Sequence, residues 1–186
     1  MMNDVTDVQS GAALVRHPDK FFIGSEWTAA SSGATIDVIT PSTEKLFVTV
    51  AEAQEADMSR AVASAREAFD GRGWRTLSHA ERGRYVKALG DALRARADDV
   101  VRIWTSEMGV TREMGHGALH IALDAYDQYA AMADIFPFEE RHPTRWGGSL
   151  GLLVPEPVGV VGLPRHSICK YYVNGQAPIS IFNAVS

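Results

Sequence analysis

The sequence predicts an α/β protein: small β-strands, then three helices, then a hairpin, then the opening strand of a further sheet. Three observations predict it. Up to residue 51, apolar residues fall in short β-prone runs divided by turn formers. From Glu55 to Phe136 the apolar period lengthens to between three and four. Strand formers then return and end on the compact run Val158-Gly159-Val160-Val161-Gly162.

Residues 1–20 are mixed in character and read as a loose arm, with residues 12–15 able to dock as a short apolar piece. Residues 21–27, 35–39 and 46–51 are strand-like and are separated by Gly24, Gly33 and the Thr40-Pro41-Ser42-Thr43 turn. They read as a small antiparallel set. The first helix carries Met58, Ala61, Val62, Ala65 and Phe69 on one stripe and closes near Gly71.

Ser78 followed by Glu81 has capping-box spacing, which satisfies two backbone donors at a helix start. The long helix it opens runs through Tyr85, Val86, Leu89, Leu93, Ala97, Val101, Trp104 and Met108, with a bend at Asp98 and a stop at Gly109. A third helix covers residues 119–136, with Leu119, Ala122, Tyr126, Tyr129, Ala130 and Ala133 on its apolar face. Pro137 prevents its continuation. Residues 141–146 and 150–154, joined by Gly147-Gly148-Ser149, read as a hairpin.

After Pro155-Glu156-Pro157, the run at 158–162 has the composition of a strand buried on both faces of a parallel sheet. Residues 177–185 resemble a helix opening, with Pro178 in its first turn and Ile179, Phe182 and Val185 at helical spacing. A single parallel strand cannot bury both of its faces. The expectation is therefore a truncated sheet, begun at Val158 and lacking the neighbours that would cover it.

Composition excludes several classes of function. A net charge of -5 and the absence of any Lys/Arg cluster give no basic field for nucleic acid. Cys169 is the only cysteine, so no internal disulfide can form, and a cytoplasmic setting is the default. No segment approaches the length of a membrane span, and the first twenty residues hold no signal-like apolar run. No membrane partner is expected.

Four constellations invite a sharper reading. His166 and Cys169 have the types of a base and a nucleophile, but no second ligand or base pair accompanies them, and an incidental cysteine is the preferred reading. His116 and His120 have i, i+4 spacing without a third ligand, and read as solvated helix residues. Gly159 and Gly162 lack the third glycine and the helix start of a phosphate loop, so strand packing explains them better. Tyr126, Tyr129 and Phe136 are read as core rather than as substrate contacts.

The order Phe22-Ile23-Gly24-Ser25-Glu26-Trp27, then Pro41-Ser42-Thr43-Glu44, then Glu156-Pro157-Val158-Gly159-Val160-Val161-Gly162 resembles the aldehyde dehydrogenase superfamily. With Ala68-Phe69, Trp74-Arg75 and the three helices between, the resemblance covers roughly residues 20–162. It implies the N-terminal part of that fold. Residues 21–140 would then belong to a cofactor-binding domain, 141–157 to a hairpin protrusion for homo- or hetero-oligomerisation through 141–154, and 158–186 to the start of a Rossmann-like sheet.

The resemblance also implies a reaction. A cysteine thiolate attacks an aldehyde, hydride passes to NAD or NADP, and a glutamate-activated water hydrolyses the thioester to a carboxylic acid. The family's catalytic cysteine and glutamate match no position here, and no cofactor-binding residue is assignable. In some members a monovalent cation sits near the equivalents of Ile39, by its carbonyl, and Glu107, and both could serve here, although a cap or surface role is the preferred reading of Glu107.

The departure lies at residues 163–176. Family members follow the glycine-rich strand with a short apolar stretch and Pro-Trp-Asn, whose Asn holds the oxyanion. Here the segment is longer, Gln176 precedes Ala177-Pro178, and Asn174 offers the amide in another register. The extra methylene of Gln176 shifts its donor, and a misplacement of about 1 Å costs on the order of 100-fold in rate. The expectation is an N-terminal segment of an NAD(P)-dependent aldehyde dehydrogenase, inactive alone and not binding cofactor alone. The alternative is a noncatalytic partner of a full-length relative, held through exposed strands.

Overall fold

The computed structural model describes residues 14–145 and 147–162. Its first strands, β1 (Lys20–Ile23) and β2 (Glu26–Ala29), form an antiparallel hairpin in which Phe22 opposes Trp27 and Ile23 opposes Glu26. The run at 21–27, expected as one strand, is therefore two. Gly24 and Ser25 take φ of 61° and 66°, and two successive positive φ values give the two-residue turn whose twist matches a hairpin. Trp27 meets Phe22 edge-on at 5.3 Å and His17 at 4.5 Å between ring centroids.

Strands β3 (Thr35–Thr40) and β4 (Lys45–Ala51) form a second, separate antiparallel pair. Its register slips between Val38 and Ile39, which oppose Val48 and Leu46 and leave Phe47 as an extra residue. That bulge lets the consecutive Phe47 and Val48 both be buried, where strict alternation would expose one of them.

Five helices follow: α1 (Glu55–Asp70), the single turn α2 (Arg72–Arg75), α3 (His79–Ala95), α4 (Ala97–Met108) and α5 (Arg112–Ile135). The capping box at the start of α3 forms as expected, with the Ser78 hydroxyl accepting from Glu81 N–H at 3.2 Å. The Ser78 N–H in turn donates to Glu81 Oε2 at 2.7 Å. The expected long helix divides at Arg96, whose φ of -116° and ψ of 23° leave the helical range, so α3 and α4 are distinct. Helix α4 ends at Gly109 in the left-handed region, φ 70°. Helix α5 begins at Arg112 rather than at residue 119, because the Thr111 hydroxyl accepts from Met114 N–H at 3.2 Å.

The core lies where α3, α4 and α5 meet. Val100 and Val101 of α4 pack with Leu119 and Leu123 of α5, and Leu93 and Ala97 close against them. Helix α1 stays outside this cluster. Its expected inward stripe is half open, with Met58 58% and Val62 53% exposed. Asp57 fastens its first turn instead. The buried carboxylate accepts from Ser31 N–H at 3.0 Å, Ser31 hydroxyl at 2.6 Å, Gln54 N–H at 3.0 Å and Arg60 at 2.5 Å.

Strands β5 (Glu140–His142) and β6 (Gly151–Leu153) make a hairpin of three residue pairs, shorter than the sequence suggests. Leu150, Leu152, Leu153 and Val154 are about half exposed beside it. The run at 158–162, expected to be a strand, joins no ladder among the described residues, and Val158 is fully exposed. A strand exists through its pairing, and no described strand lies beside this one. The helix opening expected at 177–185 falls outside the described residues.

Candidate functional site

The polar feature that best matches a site expected from sequence lies where the turn after β3 packs on the end of α4. Thr40 ends β3 almost fully buried, and its carbonyl accepts from the N–H of Thr43 at 3.3 Å and of Glu44 at 2.8 Å. Gly109 lies against this turn so closely that a Cβ there would meet Pro41 Cβ at 3.3 Å. The hydroxyls of Thr40 and Thr43 in the turn, and of Thr105 in the last turn of α4, are each shielded from solvent without a hydrogen-bond partner among the described residues. Glu107, in the same last turn as Thr105, buries its Oε2.

Ile39 and Glu107 thus lie on elements that touch. The Ile39 side chain is 48% exposed, and its backbone stands at the bulge, where the ladder is locally disrupted. Hydroxyl, carbonyl and carboxylate oxygens are the donors a hard cation takes. The chemistry of the set fits such an ion, although among the described residues no three His, Cys, Asp or Glu side chains gather into a metal group. The threonines are not legible as site residues in the sequence, since a hydroxyl beside a proline turn reads as turn chemistry.

The other candidates stay apart. His116 and His120 are exposed on α5, and each faces its own acid, Asp98 at 3.7 Å and Asp124 at 3.6 Å. Tyr126 packs its Cβ on Gly90 of α3, where an added Cβ would fall 2.9 Å away. Burial pushes the phenol of Tyr126 up, as expected of a core residue. Tyr129 and Phe136, also read as core, are 54% and 41% exposed, because α5 turns Leu119, Leu123 and Tyr126 inward instead.

Gly159 has φ of 131°, but neither it nor Gly162 stands at a described strand-to-helix turn of the kind that cradles a pyrophosphate. Asn174 and Gln176, and with them His166 and Cys169, lie outside the described residues. Among the described residues no helix is long and apolar enough to cross a membrane.

Comparison with known proteins agrees with this framework. The family model described as "Aldehyde dehydrogenase family" matches residues 27–163. The putative aldehyde dehydrogenase DhaS of Bacillus subtilis (strain 168) is 32% identical over 144 residues, which is 77% of this chain and 29% of that protein. Geranial dehydrogenase of Castellaniella defragrans is 32% identical over 144 residues, 76% of this chain and 30% of that protein. The crystal structure of betaine aldehyde dehydrogenase from Staphylococcus aureus with NAD+ superposes with a TM-score of 0.66 at 25% identity, over 72% of this chain and 26% of that one. Aldehyde dehydrogenase from Bacillus cereus gives 0.66 at 25% identity, over 73% and 28%. The chain thus spans about three-tenths of the length of these two curated relatives.

Proposed function

The chain belongs to the aldehyde dehydrogenase family and has the fold of that family's N-terminal portion, and on that premise we propose that it is a segment of an NAD(P)-dependent enzyme oxidising an aldehyde to a carboxylic acid. The observation that carries the reading is the match over residues 27–163, in which no cysteine occurs. The only thiol, Cys169, lies beyond the matched stretch. The reaction class needs a cysteine nucleophile and an oxyanion donor, so this chain by itself turns over no aldehyde.

NAD or NADP as oxidant is carried by kinship. The Ile39 carbonyl and Glu107 would hold a monovalent cation, and the buried Thr40 and Thr105 hydroxyls support that assignment. Its role is structural: it would tie the turn after β3 to the end of α4. Gln176 and Asn174 remain the amides nearest in sequence to the family's oxyanion position.

The test is direct. The purified chain, supplied with short aldehydes and NAD+ or NADP+, is expected to give no reduced cofactor. Turnover by this chain alone that disappears in Cys169→Ser would contradict the reading.

The hairpin favours a second reading, in which the chain is a noncatalytic partner of an intact relative. Leu150, Leu152, Leu153 and Val154 are exposed beside a ladder of three residue pairs, and an isolated two-stranded ribbon is marginal in water. Pairing through residues 141–154, with a second copy or with a relative, would cover them. Co-purification with an intact aldehyde dehydrogenase supports this reading. A monodisperse monomer by light scattering opposes it.

A further inference from the structure

We propose that Asp127 of α5 is an electrostatic pin that holds α3 in place, and that α3 is a helix which salt releases from an otherwise intact core. Helix α3 has little apolar hold of its own. The residues it buries are Gly83 and Gly90, and Leu93 is the α3 side chain that packs against the cluster of Val100, Val101, Leu119 and Leu123. Its glycines bring the helices close, since a Cβ on Gly90 would fall 2.9 Å from Tyr126 Cβ. Such contacts bury little side-chain area, which leaves much of the hold to other forces.

Charge supplies it. Lys87 and Arg94 stand about two helical turns apart on α3, to either side of Gly90, and Asp127 follows Tyr126 on α5. Arg94 Nη2 donates to Asp127 Oδ2 at 2.8 Å, and Lys87 Nζ faces Asp127 Oδ1 at 3.4 Å. Asp91 closes a ring of four charges, accepting from Lys87 Nζ at 2.5 Å and from Arg94 Nη1 at 2.6 Å. A slide of α3 by one residue, about 1.5 Å, in either direction stretches one of the two bonds to Asp127.

The ring is lopsided, with Lys87, Asp91 and Arg94 on α3 and Asp127 alone on α5. Loss of the Asp127 charge therefore cuts both links between the helices and leaves the pairs within α3 standing. A single exposed pair contributes little, but here each charge has two partners, and it is networks of this kind that count. The side chains are 41% to 52% exposed, open enough for ions to screen them. The screening length contracts from about 10 Å at 0.1 M salt to about 3 Å at 1 M. The α4–α5 cluster is apolar, and screening does not reach it.

Amide hydrogen exchange of the whole chain, in about 0.05 M and about 1 M tetramethylammonium chloride at fixed pH, tests the pin. That bulky cation screens charge without suiting the oxygen site at Ile39 and Glu107. At the higher salt, exchange at Val86 and Leu89 is expected to quicken about tenfold, while Val101 and Leu119 change by less than about twofold. In Asp127→Asn, Val86 and Leu89 should exchange at the faster rate already in low salt and respond little to more. Arg66→Gln, which removes the Arg66–Asp70 pair on α1, should keep the wild-type response. Exchange in α3 that ignores salt, or that rises in step with Val101 and Leu119, overturns the proposal. So does a wild-type salt response in Asp127→Asn, or a response lost equally in Arg66→Gln.

Discussion

Gly83 of α3 faces Ala133 of α5 so closely that a Cβ on Gly83 would fall 2.8 Å from Ala133 Cβ and 2.9 Å from the Ala130 carbonyl oxygen. Neither contact can yield without moving a helix backbone. Gly83→Ala is expected to destabilise the chain by about 1–3 kcal/mol through overpacking. Gly117, also in α5, would meet nothing within 4 Å, so Gly117→Ala is expected to stabilise it by about 0.5–1 kcal/mol. Urea denaturation of the two variants should therefore show shifts of opposite sign.

The cluster of Val100, Val101, Leu119 and Leu123 is the core joining α4 and α5. Leu119, at 2% exposure, has no route to relax into solvent. Leu119→Ala is expected to cost about 2–5 kcal/mol, whereas Ile121→Ala, on the open face of the same helix at 53% exposure, should cost under about 1 kcal/mol. Comparable losses in thermal unfolding would contradict the assigned helix orientation.

Asp57 ties the Ser31 loop to α1. The Ser31 hydroxyl first, then the Gln54 N–H, and then Arg60 and the Ser31 N–H, hold its carboxyl far below the ordinary aspartate value of 3.8. Because the folded-state pKa is depressed, the carboxylate stabilises the fold fully above the unfolded value. That stabilisation is lost as pH falls below it. Asp57→Asn should lower the melting temperature at pH 7, and the gap from wild type should close as pH drops below about 4. A gap independent of pH would mean that the charge plays no part.

Much of this architecture is legible in the residues. Ser78 and Glu81 mark the start of α3 through spacing alone, and Gly109 marks the end of α4. The inner faces are less legible, because α3 packs on α5 through Gly83 and Gly90, which carry no hydrophobic signal, while Tyr85 of its apolar stripe is 49% exposed. The first turns of α5 contain Gly115 and Gly117, which add nothing to an apolar stripe, so the stripe becomes visible only from Leu119. Gly115 in fact lets Val101 approach, since a Cβ there would meet Val101 Cγ1 at 2.9 Å. The division at Arg96 has no Gly or Pro to announce it. In the candidate site Glu107 and Ile39 come from resemblance, whereas the threonines around them become visible only through burial.

The assigned cation contacts give a further expectation. If the buried oxygens of Thr40, Thr105 and Glu107 accept an ion, potassium or sodium chloride should raise the melting temperature above that in tetramethylammonium chloride at equal ionic strength, by mass action on the folded state. Glu107→Gln should abolish the difference. Equal melting temperatures in all three salts would remove the assignment.

On the proposed function, strands of a larger aldehyde dehydrogenase architecture would cover residues 158–161. Amide hydrogen exchange of the purified chain measures this most directly. Val158, Val160 and Val161 are expected to exchange at the rate of an unstructured peptide while Val101 and Leu119 are strongly protected. Protection at Val158–Val161 equal to that of Val101, in the chain alone and as a monomer, would contradict it.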